Sequence, residues 1–127
     1  MNPINISLEH ASLVQSLAKD PGDIRSELTR MNTHLMHMAL GIAGEAGEVV
    51  DVIKKSVIYG KPLDQEKLIE ELGDLEFYLQ GLRSELGILR GAILQANVDK
   101  LRKRYGTAYS DSAAISRADK SDYPPAP

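Results

Sequence analysis

Two segments of this chain carry acids on the helix faces that should be buried. One is GIAGEAGEVVDVIKK, with Glu45-x-x-Glu48, and the other is EKLIEELGDLEFYL, with Glu71-x-x-Asp74. Apolar residues recur at helical spacing in both, and a separation of three puts each acidic pair on one helix face. At roughly 100° per residue, Leu35, Ala39, Ile42, Ala46, Val49, Val52 and Ile53 form a broad apolar arc, with Glu45 inside it and Glu48 at its edge. In the second segment Leu68, Leu72, Leu75, Tyr78, Leu79 and Leu82 form the arc, with Glu71 inside and Asp74 at the edge. An isolated E-x-x-E is ordinarily a solvated surface. Here the pattern occurs twice and intrudes on an apolar face both times. A carboxylate carried into a core must be paired, metal-bound or protonated, and four gathered together repel strongly without a cation. The expectation is two neighbouring helices whose four carboxylates hold a hard divalent cation, with Mg²⁺ the leading candidate.

The rest of the chain reads as helix and loop. Ser7 is a candidate cap for a first helix to about Lys19, which Asp20-Pro21-Gly22 breaks. A second helix starts near Asp23 or later, with an interruption around Thr29–Thr33, and runs to about Val57. Tyr59-Gly60-Lys61-Pro62 ends it, because glycine suits the position after a helix and proline cannot continue one. Asp64 caps a third helix reaching Leu86, with Gly87 closing it, and a fourth covers about Leu89 to Tyr105. No segment alternates apolar and polar residues as a strand would. The fold class is therefore all-α, a bundle of about four helices over residues 1–106. Residues 107–127 are rich in Ser, Asp and Ala and end in Tyr-Pro-Pro-Ala-Pro, which reads as an extended, flexible arm.

Composition limits the function classes. A net charge of −3 gives no bulk case for nucleic-acid or membrane binding. Cysteine is absent, which removes disulfides, thiolate metal sites and cysteine nucleophiles and fits a cytoplasmic protein. No apolar stretch approaches the roughly 18 residues of a membrane span, and no basic-then-apolar secretory signal opens the chain.

Other residues are open to two readings. Gly41, Gly44 and Gly47 suit close helix packing or close approach of a ligand. Asn97, Lys100 and Arg104 follow Ile93 along one stripe of the fourth helix; they form a candidate phosphate-binding rail or complement the helix dipole. Lys54 and Lys55 either meet phosphates or cover a helix end. His34 and His37 have metal-compatible spacing but no third ligand, and ordinary helix histidines are the simpler reading.

At these residues the chain resembles the MazG-type all-α nucleotide pyrophosphohydrolases. The resemblance lies in the paired acid motifs with their gap of 22 residues, in LGIAGEAGEVVDVIKK, KLIEELGDLEFYL and ANVDKLRKRY, and covers roughly residues 35–106. It implies a helical bundle that oligomerises as a homodimer or homotetramer. It also implies Mg²⁺, with Mn²⁺ as a substitute, bound by Glu45, Glu48, Glu71 and Asp74. The reaction implied is cleavage of nucleoside or deoxynucleoside triphosphates to monophosphate and pyrophosphate. Within that picture Glu48, at the wetter edge of its arc, is the candidate base, and Lys54, Asn97, Lys100 and Arg104 are candidate substrate contacts. Related all-α families include dUTP/dCTP hydrolases and the phosphoribosyl-ATP pyrophosphohydrolase. A non-enzymatic helical interaction protein is the competing class. A carboxylate di-metal redox bundle is a weaker one, since it wants Glu-x-x-His pairs.

Overall fold

The computed structural model describes residues 3–120, and among them every regular element is helical. The order is α1 (Pro3–Leu17), α2 (Pro21–Glu27), α3 (Arg30–Val57), α4 (Gln65–Leu86), α5 (Arg90–Tyr105), α6 (Asp111–Ser116) and a 3-10 turn at Ala118–Lys120. No helix among the described residues is long and apolar enough to cross a membrane.

The boundaries follow local chemistry. The Asp20 side chain accepts from the backbone N–H groups of Gly22 and Asp23, so the Asp-Pro-Gly break also starts the short α2. Thr29 caps α3 by accepting from Asn32 N–H, which puts the interruption where the sequence predicts one. Asp64 accepts from Lys67 N–H at 2.9 Å to cap α4. Gly87 closes α4 with φ +64°, a left-handed position that favours glycine.

α3 and α4 pack against each other as an antiparallel hairpin. Gly41 meets Tyr78, Gly81 meets Met38, and His34 reaches Glu85, so rising numbers on α3 match falling numbers on α4. A Cβ at Gly41 would overlap the Tyr78 ring, and one at Gly81 would overlap the Met38 sulfur. Gly44 and Gly47 face open space. Close packing is therefore the role of Gly41, with Gly81 as its counterpart on α4.

The hydrophobic core of the single chain is thin. Met38 and Val52, 4% and 7% exposed, are the buried apolar residues among those described. Leu35, Ile42, Ala46, Val49, Leu68, Leu75, Tyr78, Leu79 and Leu82 are half-buried along the seam, as their arcs predict. Ala39, Ile53 and Leu72, placed on the same arcs by the helical projection, are exposed. Two helices cover a narrower stripe than a full bundle would.

The segment after Gly106 differs from the extended arm read from its composition. Residues 107–120 carry α6 and the 3-10 turn, both packed on α5. Ser110 caps α6 by accepting from Ala113 N–H. Asp119, 2% exposed at its side chain, forms a two-pronged ion pair with Arg104 at 2.6 and 2.7 Å. One buried charge pair anchors a segment too poor in apolar residues to dock by itself. Residues 121–127, the remainder of the expected arm, lie outside the described residues.

Candidate metal centre

The antiparallel hairpin brings the two acidic motifs together near its middle. Glu45 from α3 and Glu71 and Asp74 from α4 each present a carboxylate oxygen, all within 4.8 Å of one another. Glu71 is 4% exposed, Glu45 is half-buried and Asp74 is exposed. The trio is thus buried at its base and open to solvent at Asp74. The inner position of Glu45 and Glu71 is the one their arcs predict.

The electrostatics of the trio are unbalanced. Its three carboxylates are met by one ammonium, that of Lys67, whose Nζ lies 2.7 Å from Glu71 and 3.1 Å from Glu70. Those hydrogen bonds, Glu71 first, hold Lys67 protonated far above the ordinary range for lysine. Burial raises the Glu45 carboxyl above its ordinary value. The negative charges of Asp74, Glu71 and Glu48 and a hydrogen bond to Glu71 raise it further. An all-oxygen donor set with excess negative charge fits a hard divalent cation and does not fit a soft one.

Glu48 is exposed and outside the close trio, although its charge reaches Glu45. Lys54 lies 3.5 Å from Asp51 and over the Tyr59 ring at 5.9 Å, whereas Lys55 pairs with Asp51 at 2.7 Å. Asn97 and Lys100 are exposed on α5, and α5 packs chiefly on α6 and the 3-10 turn rather than on the hairpin. Arg104 is engaged by Asp119. Within one chain, then, the polar stripe of α5 is not assembled with the carboxylates. The His34 Nδ1–H donates to the Glu85 carboxylate at 2.9 Å, while His37 stands edge-on to Tyr78 with centroids 6.0 Å apart. The two histidines have separate partners, as ordinary helix histidines do.

Sequence reasoning passed over Lys67. Its signal is present, since Lys67 precedes Glu71 by one helical turn and i,i+4 pairs share a face.

Comparison with known proteins agrees with this geometry. Residues 33–108 match the family model for the MazG nucleotide pyrophosphohydrolase domain. The chain is also similar to the "Gene 37 protein" of Mycobacterium phage L5, with 33% identity over 75 residues, covering 55% of this chain and 65% of that protein. The match thus spans less than two thirds of that relative. No solved structure matches. The matched span contains all three clustered carboxylates together with Glu48 and Lys67, and on this ground the chain belongs to the MazG nucleotide pyrophosphohydrolase domain family.

Proposed function

We propose that this protein hydrolyses nucleoside or deoxynucleoside triphosphates to the nucleoside monophosphate and pyrophosphate, with Mg²⁺ or Mn²⁺ as cofactor. The observation that carries the reading is the convergence of Glu45, Glu71 and Asp74 from two helices in a chain of this family. These three residues would hold the cation. Bound there, it would neutralise triphosphate charge and favour departure of pyrophosphate. Water attacks the α-phosphorus, the bond from that phosphorus to the bridging oxygen breaks, and pyrophosphate leaves with the electron pair. Glu48 is the proposed base. It lies beside the trio without being part of it, so its carboxylate is free to take the proton of the attacking water.

Assembly into a homodimer or homotetramer belongs to the same proposal. A compact monomer of 13.9 kDa has roughly 6,700 Å² of accessible surface by the usual mass scaling. This chain has 10390 Å². The excess, about 3,700 Å², is more than one chain's share of a typical obligate interface, about 1,000–2,500 Å². Exposed Ile69, Phe77, Ile93, Leu94, Val98 and Leu101 are apolar groups such an interface would cover. Asn97 and Lys100 remain proposed phosphate contacts, and assembly is the event that would bring an α5 against a hairpin. A panel of nucleotides assayed for pyrophosphate release, with and without EDTA, tests the function. Release of orthophosphate with a diphosphate product, or full activity in EDTA, contradicts it.

A further inference from the structure

The carboxylate trio has a cationic neighbour. Between the end of α3, the loop that follows and the first turns of α4 lies a cavity of about 290 Å³, lined by Val52, Lys55, Lys61, Pro62, Asp64 and Lys67. Its three lysines come from three separate pieces of chain: α3, the loop and α4. Charge of one sign gathered this way repels itself unless anions offset it. Asp51 offsets Lys55 at 2.7 Å, and Glu70 and Glu71 offset Lys67. Asp64 is occupied in capping α4. Lys61 has no ion-pair partner among the described residues, yet its backbone is fixed, since its N–H donates to the Lys55 carbonyl. The pocket therefore holds, on an ordered segment, an ammonium outside any ion pair among the described residues, with Asp64 as the one carboxylate in the same lining.

Lys67 joins this pocket to the trio. The ammonium that touches Glu71 at 2.7 Å also belongs to the cavity lining. An anion in the pocket would lie one side chain away from a cation held by Glu45, Glu71 and Asp74. The volume, about 290 Å³, lies at the lower end of the roughly 300–1,000 Å³ of small-molecule pockets and leaves room for an anion such as pyrophosphate.

We propose that this pocket is an anion subsite for the pyrophosphate end of the substrate, with Lys55, Lys61 and Lys67 contacting its oxygens. The identity of the ligand rests on the hydrolytic reading; the presence of an anion site does not. The proposal also sets a direction along the hairpin. Pyrophosphate points toward the α3–α4 loop. The nucleoside lies on the other side of the trio, where Tyr78 follows Asp74 by one turn of α4.

Inorganic pyrophosphate is the probe. Its binding is measured by calorimetry in EDTA on the full chain, for wild type, Lys61→Ala, Lys61→Arg and Lys55→Ala, with AMP and orthophosphate as controls. Lys61 and Lys55 are exposed, so these variants should fold. Loss of one charge-assisted contact is expected to weaken pyrophosphate binding about 10-fold. AMP binding should not change, Lys61→Arg should restore most of the loss, and orthophosphate should bind more weakly than pyrophosphate. Equal pyrophosphate binding by wild type and both alanine variants, or none by wild type, overturns the proposal. The two readings fail separately. Lysine-dependent pyrophosphate binding without turnover of any nucleotide keeps the anion site and removes the hydrolase. Turnover with unaltered pyrophosphate inhibition in Lys61→Ala does the opposite.

Discussion

The α3–α4 hairpin and the α5–α6 segment each bury acidic side chains, but they balance the charge differently. In the C-terminal segment the buried Asp119 carboxylate is fully answered: Arg104 engages both its oxygens, with side-chain exposures of 2% and 15%, and Arg117 lies a further 3.8 Å away. In the hairpin three carboxylates share one lysine. The matched pair is complete, and it anchors a segment with few apolar residues. The unmatched trio is stable only at a cost, which a cation would offset. Within one chain, charge balance separates an anchoring contact from a binding site more clearly than burial does.

The largest expected effect breaks the trio. Glu45→Gln, Glu71→Gln and Asp74→Asn should each lower turnover by on the order of 10³-fold or more, the equivalent of several kcal/mol of cation-derived stabilisation. Without metal Glu45→Gln and Asp74→Asn should melt no lower than wild type, because each removes a repelling charge, whereas Glu71→Gln also loses its ion pair with Lys67. For Glu45 the sign is explicit. Its carboxyl is raised, so ionising it at neutral pH works against the fold, and a neutral glutamine removes that cost. Steady-state assays and metal-free melting on the same proteins check both halves. Near wild-type turnover in any two of them would end the shared-cation account.

A smaller effect probes how the hairpin brings its acids together. Gly41→Ala puts a methyl into the Tyr78 ring, and overpacking of this kind typically costs about 1–3 kcal/mol. Chemical denaturation gives the number, and a neutral result would mean that the helices separate easily at this point.

The matched pair should respond to acid in its own way. The Arg104 hydrogen bond holds the Asp119 carboxyl down to about 2 from an ordinary 3.8. A depressed carboxyl contributes stability above its unfolded value and loses it as pH falls through the folded one. Wild type should therefore melt higher than Asp119→Asn at pH 5, and the difference should close between about 4 and 2. A constant difference across that window would show that Asp119 acts through packing. The smallest expected effect is a gain. Gly44 and Gly47 face open space, so alanine at either should stabilise by up to about 1 kcal/mol from helix propensity, unless a ligand or second copy needs the room.

Much of the hairpin is legible in order along the chain. Helical spacing in a segment is set by residues within a few positions of one another, so arcs, caps and the inward position of Glu45 and Glu71 follow from local chemistry. The Asp64 cap, the Gly87 stop and the break at Thr29 are of this kind. The same projection misplaces Ile53 and Leu72, because an arc says which face is apolar and not how much of it a neighbour covers. The resemblance names Lys54 as a candidate substrate contact, and the pocket at the α3–α4 loop is lined by its neighbour Lys55 together with Lys61.

Sequence alone determined the helical class, the two acidic faces and the family resemblance, since each is written within a few turns of helix. Only the tertiary structure decided that three acids converge while Glu48 stands beside them. It decided also that Lys67 answers the trio, and that Arg104 belongs to Asp119 fifteen residues further on. Those outcomes depend on the distance between helices and on which charge finds a partner first, quantities that no periodicity within one segment contains.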